Sequence, residues 1–172
     1  MKLTYKIIVV GDSQAGKTTF CDLLYNALRL GELDETFPLI QPESSTMVNI
    51  NHLYLNTSIG KMRLTLVDIP ESINKKLFDY YTCGSDGCII MCDASKYKSY
   101  INVYKWEMKI KKTCPTIPIL FGLNKIDIKD PSISEENYHE LTILNRPKYI
   151  TILDDLLDTI INQQLSLDNN SQ

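Results

Sequence analysis

The stretch Gly11-Asp12-Ser13-Gln14-Ala15-Gly16-Lys17-Thr18 satisfies the spacing G-x-x-x-x-G-K-[ST] at every fixed position. The apolar run Ile7–Val10 precedes it, and Phe20, Leu23, Leu24, Ala27 and Leu28 follow at helical spacing until Gly31 can end the helix. A strand, a tight loop and a helix N-terminus thus stand in the order that phosphate binding requires. Backbone N–H groups of such a loop curl around a phosphate and the helix dipole adds partial positive charge. Lys17 supplies a full charge, and the Thr18 hydroxyl suits Mg²⁺.

Composition narrows the function. The chain has 172 residues, enough for one domain with a single good core, and a formal net charge of −3. Lys105, Lys109, Lys111 and Lys112 form a short cluster that reads as a solvated helix face, so nucleic acid is not an expected partner. Cys21, Cys83, Cys88, Cys92 and Cys114 are odd in number, which points to a reducing compartment. Cys83, Cys88 and Cys92 read as strand thiols in preference to a metal site. No apolar run could span a bilayer or serve as a secretion signal. The segment from Leu165 to Gln172 has no cysteine for a prenyl anchor. A soluble cytoplasmic protein without a lipid anchor is expected.

Strand and helix signals alternate along the chain. Leu3–Val10 reads as a strand, Thr18–Leu30 as a helix, and Gly31 to Ser45 as irregular. Met47–Leu55 and Met62–Val67 read as two strands of a hairpin turned at Asn56–Gly60. Ile73–Tyr81 suggests a short helix, and Gly87–Asp93 a strand buried on both faces. Tyr97, Tyr100, Ile101, Tyr104 and Met108 form an apolar stripe, read as the core face of the next helix. Ile117–Phe121 and His139–Ile143 complete the strands. The last helix places Tyr149, Ile152, Leu153, Leu156, Leu157, Ile160 and Ile161 on one face, opposite Asp154, Asp155 and Asp158. This alternation predicts an α/β fold with a parallel-rich sheet and helices on both faces. One domain is expected over 1–165, with a short polar tail over 166–172.

Ligands of such sheets bind at the carboxyl ends of the strands. The glycine-rich loop, Asp68 and Asn124-Lys125-Ile126-Asp127 all follow strands and can converge there. The Asp127 carboxylate can accept from both guanine N1–H and the exocyclic N2 amine, a pairing adenine does not offer. Asn124 can bond the purine edge and brace the phosphate loop, while the Lys125 stem covers the ring.

With these motifs the chain resembles a Ras-superfamily small GTPase, and within that superfamily it is most similar to Ran. The Ran likeness rests on Tyr80-Tyr81, Cys88-Ile-Ile-Met91, Asp93, Ser95, Tyr100, Asn102-Val103, Trp106, Cys114, Ile117-Pro-Ile119 and Asn124-Lys-Ile-Asp-Ile-Lys-Asp130. The resemblance implies a small G-protein fold with a six-stranded, mostly parallel sheet, binding GTP or GDP with Mg²⁺. It assigns Ser13, Gln14, Ala15, Gly16, Lys17, Thr18 and Thr19 to the phosphates. The metal falls to Thr18, to Asp68 through water, and to a hydroxyl at Ser45 or its neighbour Thr46. For the base it implies Asn124, Lys125, Asp127, Thr142, the Ile143 backbone N–H, and Phe37 or Leu33 packed at the ring edge. Lys17 would also meet transition-state charge. GTPase regulators or effectors are the implied partners.

Several departures qualify that resemblance. The family's Asp-Thr-Ala-Gly-Gln-Glu is here Asp68-Ile69-Pro70-Glu71, without the glycine that senses the terminal phosphate or the glutamine that orients water. Pro70 has no N–H to offer a phosphate. GTPase-activating proteins add about 10⁵-fold by working around that glutamine, so hydrolysis is expected to be slow or absent. Glu71 either repels a terminal phosphate, which favours GDP, or points to solvent. Leu123 replaces a glycine, so a side chain must fit where backbones usually approach closely. Thr142-Ile143-Leu144 replaces Ser-Ala-Lys, and reduced guanine affinity is expected. The helix before the last strand is shortened or missing, which would uncover part of the sheet. That helix carries a basic patch in Ran, so traffic with nuclear transport factors stays open, and the nucleus stands beside the cytoplasm as an expected location.

Three functions compete on this reading. The first is a guanine-nucleotide switch with weak hydrolysis, and the second a pseudo-GTPase module that sequesters regulators or effectors. The third is a small nucleoside or metabolite kinase, disfavoured because Arg29, Arg63 and Arg146 do not cluster into a lid.

Overall fold

A computed structural model describes residues 4–30, 47–57 and 60–169. Its elements run β1 (Thr4–Gly11), α1 (Lys17–Leu30), β2 (Asn49–Thr57), β3 (Gly60–Asp68), α2 (Lys75–Thr82) and β4 (Gly87–Asp93). They continue with α3 (Tyr97–Thr113), β5 (Ile119–Asn124), β6 (His139–Leu141) and α4 (Pro147–Asn169). The six strands form one sheet in the order β2-β3-β1-β4-β5-β6. Only β2 runs antiparallel, paired to β3 from Asn49↔Asp68 to Thr57↔Gly60. The remaining neighbours are parallel, which requires long crossover connections, usually but not always helical. The small G-protein α/β architecture expected from the sequence is the architecture found.

Two cores flank the sheet, because successive side chains of a strand point to opposite faces. Ile7 and Val9 of β1 join Phe20 and Leu24 of α1 and Ile152, Leu153, Leu156 and Ile160 of α4. Ile8 and Val10 join Phe78 of α2 and Val103, Trp106 and Ile110 of α3. Every residue of β4 is buried, consistent with its apolar run and its place between β1 and β5. α4 opens on Pro147, whose fixed φ suits a first helical turn. The helix continues to Asn169, so the expected boundary at residue 165 falls inside it.

The structure revises other local expectations. β2 starts at Asn49, not Met47, and β6 ends at Leu141, not Ile143. The stripe read as the core face of α3 lies mostly outward: Tyr97, Ile101, Tyr104 and Met108 are exposed. Ser99, Val103, Trp106 and Ile110 face inward instead. The two sets share the same spacing, offset by two residues, which at 3.6 residues per turn puts them on opposite faces. Tyr100 alone of the expected stripe packs inward, with its ring 5.4 Å from that of Tyr138.

Between β5 and β6 the helical structure is limited to one 3₁₀ turn at Ile126–Ile128, so the expected loss of a helix holds. The sheet is partly covered there, with Ile119, Leu120 and Phe121 of β5 half-buried. Ile133 is buried against the α3-side core, and Tyr138 stacks on Tyr100 and, at 5.7 Å, on Phe121. Two side chains from the intervening segment occupy the place of the missing helix.

Candidate functional site

The strand ends meet at one edge of the sheet. β1 delivers the loop from Gly11 to Lys17, which starts α1, and its glycines are required by space as well as by angle. A Cβ on Gly11 (φ 142°) would lie 2.0 Å from the Met91 carbonyl oxygen, and one on Gly16 (φ 91°) 2.1 Å from Asn124 Nδ2. Gln14 adopts a left-handed φ of 63° to complete the turn. Lys17 is buried, and its Nζ donates to the Asp12 carbonyl at 2.8 Å. Burial pulls the ammonium pKa down, while the charges of Asp68, Glu71 and Asp12 oppose that shift.

The loop is braced from two sides. Asn124 Nδ2 donates to the Ala15 carbonyl at 3.0 Å, and the Tyr149 hydroxyl donates to Asn124 Oδ1 at 2.9 Å. On the other side Asp12 accepts from Asn102 Nδ2 and Trp106 Nε1 of α3, each at 2.8 Å. Lys96 Nζ reaches Gln14 Oε1 at 3.0 Å. The sequence motifs do not single out Asp12, Asn102, Trp106 or Tyr149 for this site. Asn102 and Trp106 are legible only as family-like positions, and Tyr149 only as core.

The Asn124–Asp127 turn sits beside this loop. Lys125 takes a left-handed φ of 63°, and its Nζ pairs with the buried Asp93 carboxylate at 2.6 Å. Burial pushes the Asp93 carboxyl up, but hydrogen bonds from the Lys125 ammonium and from the Ser95 hydroxyl and backbone outweigh it, leaving the group below the usual carboxylate range. Asp127 is exposed, and its Oδ1 accepts from Thr142 Oγ1 at 2.6 Å. A carboxylate has about four lone-pair sites, so capacity remains for a ligand. Ile143 follows at the same edge, and the Leu144 N–H donates to Thr142 Oγ1 at 3.3 Å. Leu123, expected to crowd a close backbone approach, is fully buried in the α3-side core. The tight position is the preceding Gly122, where a Cβ would fall 2.7 Å from Met91 Sδ and 2.9 Å from Leu141 Cδ1.

Asp68 ends β3 opposite the loop. Its Oδ2 accepts from Thr18 Oγ1 at 2.5 Å. Oδ1 is buried without a hydrogen-bond partner among the described residues. Burial raises the Asp68 carboxyl pKa, with Thr18, Lys17 and Asn49 easing the cost. A hydroxyl beside an unsatisfied carboxylate oxygen is a hard donor pair that fits Mg²⁺. Ser45, Thr46, Phe37 and Leu33 lie outside the described residues. No group of three or more His, Cys, Asp or Glu among the described residues could hold a metal, and Cys21, Cys88, Cys92 and Cys114 are buried thiols.

Glu71 does not simply point to solvent. Its Oε2 accepts from the Ser13 backbone N–H at 2.7 Å, so the segment after β3 touches the loop directly. Pro70 beside it is buried. Among the described residues no helix is long and apolar enough to cross a membrane.

A family model described as "Ras of Complex, Roc, domain of DAPkinase" matches residues 6–127, from β1 to the last residue of the Asn124–Asp127 motif. That match spans well over half of the chain. This protein therefore belongs to the Roc (Ras of Complex) domain family, a GTPase-like, guanine-nucleotide-binding branch of the Ras superfamily.

Proposed function

We propose that the chain is a Ran-like guanine-nucleotide switch that binds GDP or GTP with Mg²⁺ and hydrolyses GTP slowly or not at all. The observation that carries this is the Asn124–Ala15 hydrogen bond of 3.0 Å, which joins the base-reading motif to the phosphate loop. A nucleotide laid across that bond meets the N–H groups of Ser13–Thr19 and the Lys17 ammonium at its phosphates. Asp127, held by Thr142, meets its base, with Lys125 and the Ile143 N–H beside it. Thr18 and Asp68 are the described residues that would hold Mg²⁺. When bound, that ion neutralises charge on the phosphate oxygens.

Weak hydrolysis follows from chemistry this chain lacks. Between Asp68 and Glu71 no side chain can orient an attacking water as the family glutamine does. The Ran likeness is supported by the block from Cys88 to Asp130, in which Asn102 and Trp106 clamp Asp12. Regulators and effectors of a GTPase are the partners this reading assigns.

Thermal shift with GDP, GTP and ATP, with and without Mg²⁺, tests the proposal. Guanine nucleotides alone should stabilise the wild type, and Lys17→Ala or Asp127→Ala should abolish the shift. Single-turnover hydrolysis at the rate of an ordinary small GTPase would overturn the catalytic part. A second reading, a pseudo-GTPase interaction module, is favoured by the Glu71–Ser13 contact. Absence of any nucleotide response would select it.

A further inference from the structure

Glu71 occupies its position under tight constraint. Before it, the Ile69 N–H donates to the Val9 carbonyl at 3.0 Å, continuing the pairing of β3 with β1, and Pro70 is buried with its φ fixed. After it, the Ile73 N–H donates back to the Pro70 carbonyl at 3.3 Å, and Asn74 caps α2 by accepting from the Leu77 N–H at 3.0 Å. Only Glu71, Ser72 and Ile73 lie between these tethers. The turn therefore presents the Glu71 carboxylate to the phosphate loop, where Oε2 accepts from Ser13 N–H at 2.7 Å.

We infer that Glu71 is a built-in competitor for the terminal phosphate and makes the site select a nucleoside diphosphate over a triphosphate. This rests on the guanine-nucleotide reading above. The N–H groups of such a loop are donors to phosphate oxygens, and its lysine reaches the outer phosphates. A carboxylate is likewise an acceptor-only anion and competes for the same donor. With a diphosphate bound, Glu71 can keep its hydrogen bond to Ser13. A triphosphate brings a further charge toward the same mouth, so Glu71 either leaves its donor or stays as a like charge. Both alternatives weaken the triphosphate selectively. The carboxylate is exposed, so it can be displaced, and its departure pulls on the turn that leads into α2.

Calorimetry on the whole chain with GDP and with a non-hydrolysable GTP analogue, both with Mg²⁺, decides the matter. Wild type should bind GDP at least about tenfold more tightly than the analogue. Glu71→Ala should raise affinity for the analogue by about tenfold or more and leave GDP within about threefold. Glu71→Gln retains an oxygen for Ser13 N–H but loses the charge, and should fall between the two. A ratio unchanged in both variants, with GDP still bound, overturns the role of Glu71 and leaves the nucleotide reading intact. Failure of all three proteins to bind either nucleotide overturns both. Cooperative thermal melts serve as the folding control, and either variant alone suffices if the other fails it.

Discussion

Trp106 Nε1 donates to Asp12 Oδ1 at 2.8 Å, linking the indole of α3 to the second residue of the phosphate loop. Trp106 is the only tryptophan in the chain and is 8 % exposed. Its emission is therefore expected to change when a guanine nucleotide binds at that loop, in a fluorescence titration with GDP. Asp12→Ala should remove most of the change. It should also lower stability by about 1–3 kcal/mol in urea unfolding, since two donors lose a charged acceptor.

Gly16 faces a different constraint. Its φ is 91°, and an added Cβ would come within 2.1 Å of Asn124 Nδ2, which leaves no room for a side chain. Gly16→Ala is expected to push Asn124 off the Ala15 carbonyl and weaken GDP binding by at least about tenfold, roughly 1.4 kcal/mol, by calorimetry. Equal affinity in the variant would show that the Asn124 brace is dispensable.

Tyr149 holds the same asparagine from below. Tyr149→Phe keeps the ring contact with Phe20, whose centroid is 5.7 Å away, but leaves the buried Asn124 Oδ1 without its donor. A loss of about 1–3 kcal/mol is expected, read as a lower urea midpoint at unchanged slope. Burial, with the Asp127 charge, pushes the Tyr149 hydroxyl up to about 12 from 10.0. The unfolded chain thus loses this proton first as pH rises. The Tyr149 contribution should be whole below pH 10 and fall between about 10 and 12, a decline absent in the variant.

Asp93 sets an acid limit. Its folded pKa lies below the ordinary value despite burial, because Lys125 and Ser95 stabilise the carboxylate. The unfolded chain then takes up the proton first as pH falls. The stabilisation is present above the unfolded carboxylate value of about 3.9 and is lost as pH drops through the lower folded value. Unfolding free energies from about pH 5 to 3 should fall less steeply in Asp93→Asn than in wild type.

The fold and the outline of the site are legible in the sequence wherever the signal is local. The glycine-rich motif, the apolar run Cys88–Cys92 of β4 and the seven-residue apolar face of α4 each require only short-range spacing, and each sits where the spacing puts it. Residues 31–46, with Phe37, Ser45 and Thr46, lie outside the described structure. The core face of α3 is not legible in this way, because the helix carries two stripes of equal spacing on opposite faces. Periodicity cannot say which one meets the sheet. Phe78 of α2, with its ring 6.3 Å from Trp106, and the buried β4 decide it.

What the sequence determined by itself is the chemistry on offer: backbone donors and Lys17 in a glycine-rich loop, the Asp127 carboxylate in a turn after a strand, and a segment from Asp68 to Glu71 that holds neither glycine nor glutamine. Tertiary structure alone decided how those groups are coupled. Asn124 and Ala15 are 109 residues apart along the chain, Trp106 and Asp12 94, and Glu71 and Ser13 58. Contacts at such separations depend on which strand ends the parallel sheet sets side by side, and no local pattern of residues encodes that.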